Sequence, residues 1–165
     1  MRIIDHIDHM VRVLSAIFLA VMTSLVLIQV FWRYALNSPL GEPLELSVTC
    51  MVWATMLGTA TVVRKKSHIA VTMLVDVMPS SLRKVSIFFS YGVMLVIFYL
   101  IATHGWTVML KGMRQISSIT GMPQGYVALS IPVGGALSIL YILELIWKEL
   151  RGIEQLRSTE EIPDA

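Results

Sequence analysis

The chain has 165 residues, of which 56% are hydrophobic and 15% are charged, and its mean hydropathy is +0.73. Soluble domains carry about a quarter charged residues, so this composition indicates an integral membrane protein. The formal net charge of +2 is too small for a nucleic-acid-binding surface, and the basic residues do not form one stripe. Cys50 is the only cysteine, which excludes an internal disulfide and a cysteine-based metal site.

Residues 1–12 have the pattern of an amphipathic helix. Apolar residues recur at helical spacing on one side, and charged residues and histidines occupy the other. This predicts a helix lying at the membrane surface. Asp5 and Asp8 stand where a secretory signal would be basic, which disfavours a signal peptide. His6 and His9 could share a metal ion, but no third ligand is nearby, so two solvated histidines are the favoured interpretation.

Four long apolar runs are typical of transmembrane helices. Residues 13–32 would span about 30 Å as a helix, the thickness of a hydrocarbon core. This run ends in aromatic residues and Arg33, which suit the headgroup layer. The other predicted spans are 46–63, 85–103 and 126–147. The predicted fold class is therefore all-α integral membrane, with a single membrane domain over residues 1–165.

The second and fourth spans carry small residues at helical spacing. Glu42-Pro43-Leu44-Glu45 has the chemistry of a helix start, with proline and carboxylates in the first turn. Pro132 and the Gly134-Gly135 pair predict a kink or a close contact in the fourth span. Small residues spaced four apart let another helix approach closely, and lipid-facing filler is the alternative. The two rows are Cys50, Ala54 and Gly58, and Ser130, Gly134 and Ser138.

The second link and the C-terminal tail differ from ordinary loops. Residues 65–79 are too apolar for water and too few to cross the bilayer, so an interfacial or re-entrant segment ended by Pro79 is predicted. Glu144 and Lys148 are one turn apart and are predicted to pair, and residues 149–165 form a charged cytoplasmic tail. The basic residues predicted to hold the lipid interface are Lys65, Lys66, Arg83 and Lys84.

Orientation follows from the distribution of Lys and Arg. Ten of the 13 belong to the N-terminal segment, the second link and the tail, and three to the first and third links. Because cytoplasmic loops carry the excess of positive charge, both termini are predicted to be cytoplasmic.

The spans lack the groups that membrane chemistry requires. Transporters place ionisable residues deep in the bilayer, yet the middles of all four runs contain none. His104 stands alone, whereas a haem anchor usually needs paired axial histidines. No phosphate loop, nucleophile–base set or zinc motif is present. The prediction is a non-enzymatic chain, with no cofactor and no metal, that docks to another membrane protein.

Several short motifs stand in a fixed order along the chain. They are Arg33-Tyr34, Glu45-Leu46-Ser47, Trp53, Leu57-Gly58, the segment from His68-Ile69-Ala70-Val71 to Arg83, Gly105, Gly121-Met122-Pro123 and Ile131-Pro132. In this order and spacing they resemble one known family, the small membrane subunit (DctQ-like) of tripartite ATP-independent periplasmic, or TRAP, transporters. The likeness covers nearly the whole chain. One departure is that Leu44 stands before Glu45, where the family often has a second acid, and Glu42 lies further back.

This resemblance implies a role in sodium-driven import of organic acids such as dicarboxylates, sugar acids or sialic acid. A periplasmic binding protein would capture the substrate, and a large elevator-type permease would carry the substrate and sodium sites. The small subunit would brace that permease in the bacterial inner membrane. A self-sufficient oligomeric channel or exporter is the alternative. The residues proposed as partner or interface contacts are Arg33, Glu42, Glu45, Trp53, Gly58, His68 and Gly134.

Overall fold

The computed structural model describes residues 2–36, 41–75 and 80–150. Side chains are described from residue 4 onwards within these ranges, except those of residues 66–85, 87, 149 and 150. The helices are α1 (Arg2–Ala35), α2 (Glu42–Val75), α3 (Ser80–Gly112), α4 (Gly125–Ala128) and α5 (Ser130–Leu150).

The predicted all-α class with four candidate membrane-spanning helices is confirmed. Four stretches are long and apolar enough to cross a bilayer, and the described residues contain no β-strand. The only β-type pairing among them is a single bridge between Ile116 and Pro123. The four stretches are Ile4–Ala35, Glu42–Lys65, Phe88–Gly112 and Gly125–Lys148.

The two segments predicted to lie at the membrane surface are helical where the structure describes them. Residues 2–12 form the first turns of α1, and residues 65–75 continue α2 without a break. Residues 76–79 and the tail from 151 to 165 lie outside the described residues. The location of both segments at the membrane surface stays a prediction.

The long helices form an open series of contacts. α1 packs against α2, α2 against α5, and α5 against α3, while α2 and α3 touch only slightly. In the described part of the chain, α2 is the only helix whose Cα atoms come within 8 Å of those of α1. The buried apolar core lies among α2, α3 and α5, where Tyr91 and Ile142 are almost inaccessible and Val63 and Leu145 join them.

The contact between α1 and α2 uses the small residues of the second span. Ser15 of α1 donates a hydrogen bond from Oγ to the carbonyl oxygen of Ala54 at 3.0 Å. A Cβ added at Gly58 would lie 3.7 Å from the same Oγ. This part of the predicted small-residue face is therefore used inside the chain, because only a small side chain leaves room for α1.

The contacts of α5 are closer still. A Cβ at Gly134 would lie 3.1 Å from the carbonyl oxygen of Met56, and one at Gly135 would lie 3.2 Å from the Cα of Ala102. Of the kink or close contact predicted for this region, the structure shows the close contact, because each added Cβ would press on the backbone and Cβ of a neighbouring helix. Pro132 lies in the first turn of α5, where its missing N–H interrupts no helical hydrogen bond.

The end of α3 meets the start of α4 through two glycines. A Cβ at Gly112 would lie 3.0 Å from the Cα of Gly125, and a Cβ at Gly125 would lie 2.7 Å from the backbone nitrogen of Met113. No side chain can be accommodated there unless the backbone moves. Gly92, by contrast, has no atom within 4 Å of its hypothetical Cβ.

The first prediction concerns this crossing. Gly125→Ala should lower the free energy of unfolding by about 1–3 kcal/mol, because the methyl group is forced against backbone. The matched control Gly92→Ala should leave stability unchanged or raise it by up to about 1 kcal/mol through helix propensity. Denaturant unfolding in detergent, followed by tryptophan fluorescence, measures both. Equal stability of the two variants would show that the crossing is not tight.

Candidate functional site: a charged cluster and a braced loop

Two groups of polar side-chain contacts lie towards opposite ends of the bundle. At one end, Arg64 of α2 meets acidic residues of α1 and α5. At the other end, Glu45 at the start of α2 contacts the loop of residues 113–124 that joins α3 to α4. We call these the Arg64 cluster and the 113–124 loop.

Arg64 binds Glu144 of α5 in a bidentate manner. Its Nε donates to Oε2 of Glu144 at 2.9 Å, and its Nη2 donates to Oε1 at 3.0 Å. The Glu144 side chain is 1% exposed and the Arg64 side chain 12%. Two parallel N–H···O bonds fix both the distance and the orientation of the pair, which a single contact would not do.

The same guanidinium group also reaches α1. Nη2 of Arg64 lies 2.5 Å from Oδ1 of Asp5, and Nη1 lies 3.1 Å from Oδ2 of Asp8. Asp8 is as buried as Glu144, with a side chain that is 4% exposed, whereas that of Asp5 is 59% exposed. One cation therefore joins three helices, and it links α1 to α5 although no Cα atoms of those two helices lie within 8 Å of each other in the described residues.

Two further cations complete the Arg64 cluster. Lys148 lies 2.9 Å from Oε1 of Glu144, and Arg12 lies 3.2 Å from Oδ2 of Asp8. The predicted pairing of Glu144 with Lys148 is confirmed. Three formal negative charges thus face three positive ones, which matters because burying a charge without a partner costs several kcal/mol.

An aromatic ring closes the cluster. The guanidinium carbon of Arg64 lies 5.6 Å from the centroid of the Tyr141 ring, a distance typical of a cation–π contact. The Tyr141 hydroxyl and Oδ1 of Asp8 are buried, and neither has a hydrogen-bond partner among the described residues. In the same ranges, no group of three or more His, Cys, Asp or Glu side chains is placed to hold a metal ion.

From sequence alone, Arg64 counts only among the basic residues of the second link and has no separate role. A usable signal was its spacing, because Leu57, Ala60 and Arg64 recur every three or four residues and both apolar members are buried. Lys65, one position on, is exposed. If the helical spacing of the buried residues is continued for one turn past the apolar run, it predicts that Arg64 lies on the buried face of α2.

At the opposite end, Glu45 holds the 113–124 loop. Its Oε2 accepts hydrogen bonds from Ser117 Oγ at 2.6 Å and from Thr120 Oγ1 at 3.0 Å. Ser117 Oγ in turn accepts from the backbone nitrogens of Ile119 at 3.1 Å and Thr120 at 3.4 Å. A carboxylate acceptor strengthens such bonds, so α2 braces a loop more than 70 positions away in sequence.

Trp53 ties the same end of the bundle together. Its indole nitrogen donates to the carbonyl oxygen of Tyr126 at 3.2 Å. Its ring stacks on Phe18 of α1, with centroids 5.8 Å apart and planes inclined by 22°. Trp53 therefore links α1 and α4 through α2, using its apolar face and its polar edge in different directions.

A groove of about 420 Å³ opens beside Glu45, between α2 and the start of the last span. Thr49 and Gln124 are its other polar lining residues. The remaining lining is apolar and consists of Val48, Val52, Val127, Ala128 and Ile131.

The residues predicted as contacts of another subunit are distributed as follows. Glu45, Trp53, Gly58 and Gly134 all contact elements of this chain. Arg33 and Glu42 are exposed at the end of α1 and the start of α2, and neither has an ion pair among the described residues. The side chains of His68, Lys66, Arg83 and Lys84 lie outside the described residues.

The second prediction tests the Arg64 cluster. Arg64→Met should lower the free energy of unfolding by about 3–5 kcal/mol, because buried Glu144 and Asp8 lose their common partner. Arg12→Met is the matched control and should cost no more than about 1 kcal/mol, since the Arg12 side chain is 43% exposed. Thermal unfolding of the purified chain in detergent measures both losses.

A second substitution distinguishes the cost of leaving the Glu144 carboxylate buried without Arg64 from the cost of losing the packing of the Arg64 side chain. Adding Glu144→Gln to Arg64→Met should recover part of the loss. If the double variant is less stable than Arg64→Met alone, the cost does not arise from an uncompensated buried carboxylate.

The third prediction tests the brace at Glu45. Glu45→Ala removes the acceptor of two hydroxyl groups, and charged hydrogen bonds are worth about 1.5–3 kcal/mol, so amide exchange at Ile119 and Thr120 should accelerate by roughly tenfold or more. Glu42→Ala, at an exposed position one turn earlier, should leave these amides unchanged. Hydrogen–deuterium exchange provides the measurement, and unaltered protection in Glu45→Ala would contradict the brace.

Comparison with known proteins identifies the family. Residues 22–152 match the family described as tripartite ATP-independent periplasmic transporters, DctQ component. A TRAP transporter small permease protein of Haemophilus influenzae is 30% identical over 148 residues, which cover 88% of this chain and 92% of that protein.

Two further relatives carry more specific names. The C4-dicarboxylate TRAP transporter small permease protein DctQ of Vibrio cholerae is 32% identical over 77 residues, covering 47% of this chain and 33% of that protein. The sialic acid TRAP transporter permease protein SiaT of Haemophilus influenzae is 25% identical over 132 residues, covering 80% of this chain but only 21% of that longer protein.

These relatives are transporter subunits, and none of the matches indicates a catalytic family. The alternative of a self-sufficient channel or exporter finds no support among them. These matches, together with four apolar helices of membrane-spanning length, show that the chain belongs to the DctQ family of TRAP transporter small permease subunits and is a multi-pass protein of the bacterial inner membrane.

Proposed function

We propose that this chain is the non-transporting brace of a sodium-driven TRAP importer of an organic acid. As a TRAP small subunit it works with a large membrane permease and a periplasmic binding protein. In the proposed division of labour, those two proteins carry the substrate and sodium sites. The small subunit enlarges the fixed scaffold against which the permease moves.

One observation supports this proposal: the acidic and basic side chains of the described bundle lie towards its ends, and the buried ones form ion pairs with one another. The middles of the four spans contain no Asp, Glu, Lys or Arg, and His104, in the second half of the third span, has its Nδ1 3.0 Å from the Leu100 carbonyl oxygen. The buried carboxylates that do occur, Asp8 and Glu144, already contact Arg64, Arg12 or Lys148. A carboxylate substrate needs an available cation, and sodium needs available oxygen ligands, so the described interior favours a structural role.

The substrate class rests on the relatives. One relative is named for sialic acid and another for C4-dicarboxylates. Both substrates carry carboxylate groups, which supports an organic acid as the cargo of this system too. Coupling to sodium is what the family resemblance implies.

The long permease relative supports the proposed placement beside a larger subunit. This chain matches 21% of that protein, so a region like it is covalently joined there to a much longer polypeptide. A brace that must stay in contact with a permease can be a separate chain or a fused one, whereas an independent channel gains nothing from fusion.

The orientation belongs to the same proposal. With both termini cytoplasmic, the Arg64 cluster would face the cytoplasm and the 113–124 loop the periplasm. Arg33 and Glu42 would then be exposed on the periplasmic side, where we propose that they contact the large subunit or the binding protein. The proposed cytoplasmic lipid contacts are Lys65, Lys66, Arg83 and Lys84.

The fourth prediction is a reconstitution. The chain, its large subunit and the complex of the two are placed separately in proteoliposomes, with the cognate binding protein and its radiolabelled carboxylate ligand outside. Only the complex should accumulate substrate, and only with an inward sodium gradient. Arg33→Gln should lower the amount of large subunit that co-purifies with this chain.

Each arm has an outcome that contradicts it. Uptake by the chain alone would refute the brace and favour a channel. If the complex takes up substrate equally well when potassium replaces sodium, the proposed coupling to sodium is wrong. An Arg33→Gln variant with unchanged co-purification and uptake would leave Arg33 as a headgroup contact.

A further inference from the structure

The 113–124 loop exposes aliphatic side chains at its surface. Ile116 is 69% exposed, Ile119 is 56% exposed and Met122 is 53% exposed. These residues lie beyond the apolar stretches that cross the membrane, which end at Gly112 and resume at Gly125. Aliphatic groups at such a position are unfavourable in water, so the loop needs a covering.

The loop cannot fold inward to bury these side chains, because hydrogen bonds fix its backbone at several points. Its two arms pair at Ile116 and Pro123, with the Gln124 nitrogen donating to the Gln115 carbonyl at 2.9 Å. Gly121 turns the chain with a φ of 69°, a value that other residues rarely adopt. Glu45 holds the loop from below through Ser117, which is 7% exposed.

The surroundings of the loop match the interface of a bilayer. Trp106 on α3 is 54% exposed and Tyr126 at the start of the last span is 55% exposed, and such aromatic residues favour the headgroup level. Lys111 and Arg114 are exposed beside them. The sequence contains no Asp or Glu between residues 77 and 143, so the loop itself carries only positive charge, and the nearby Glu45 carboxylate is taken up by Ser117 and Thr120.

We propose that the 113–124 loop is a membrane-surface anchor that binds the phospholipid leaflet at its own end of the bundle. Ile116, Ile119 and Met122 insert at the boundary between headgroups and acyl chains. Lys111 and Arg114 contact the phosphates of anionic lipids. A lipid surface fits this combination because the exposed loop side chains are aliphatic, basic residues lie beside them, and Trp106 and Tyr126 flank them at the ends of the spans, as in the aromatic belt of a headgroup layer.

The fifth prediction measures the depth of the loop tip. Ile119→Cys in a Cys50→Ala background gives the full chain a single thiol, which is labelled with an environment-sensitive fluorophore. The labelled chain is placed in nanodiscs of phosphatidylethanolamine and phosphatidylglycerol. Blue-shifted emission, quenching by lipids with a spin label near the headgroup, and protection from aqueous iodide are expected.

Charge and position are controlled separately. Lys111→Gln with Arg114→Gln should weaken the lipid quenching, as should replacing the anionic lipid with phosphatidylcholine. Glu42→Cys in the same background is the matched exposed site outside the loop, and it should be quenched less by the spin-labelled lipid than Ile119→Cys.

Two outcomes would overturn the anchor. Water-like emission with strong iodide quenching would show that the tip projects into solvent. If the labelled chain, once assembled with its large subunit and binding protein, loses lipid quenching while remaining protected from iodide, a protein covers the tip. The anchor stands only if lipid quenching persists in the assembled complex.

Discussion

The bundle depends on one guanidinium group. Arg64 contacts a carboxylate of α5 and two carboxylates of α1, and in the described residues no Cα atoms of those two helices lie within 8 Å of each other. Near a bilayer such an arrangement must be electrically balanced, because the hydrocarbon solvates neither ion. Lys148 and Arg12 complete that balance. Each lies one helical turn after the carboxylate that it pairs with, Glu144 on α5 and Asp8 on α1.

Polar contacts at the ends matter more here than in a soluble bundle. Lipid tails are as apolar as the helix faces, so burial of leucine or valine gives helices little reason to associate in a membrane. Helix association in a membrane therefore depends on close approach of the backbones and on hydrogen bonds between helices. The structure uses both: glycines where α5 meets α2 and α3, the Arg64 cluster at one end, and Glu45 with Trp53 at the other.

Sequence periodicity and composition were enough for the helical class, the four apolar spans and the pairing of Glu144 with Lys148. Local spacing also predicted the close contact at Gly134-Gly135. The contacts of Arg64 with Asp5 and Asp8, and of Glu45 with Ser117, were beyond reach because they join residues 56 or more positions apart. Such pairs depend on which helices become neighbours, and a hydrophobic pattern alone does not specify that order.

The order of the helices has a geometric consequence. α1 touches α2, α2 touches α5, and α5 touches α3, but in the described residues α1 and α3 do not meet. The described helices therefore do not form a closed ring around a channel. Because α1 has one helical neighbour at backbone distance and its most apolar stretch is not buried within this chain, most of its length is left for contact with lipid or with a second membrane protein.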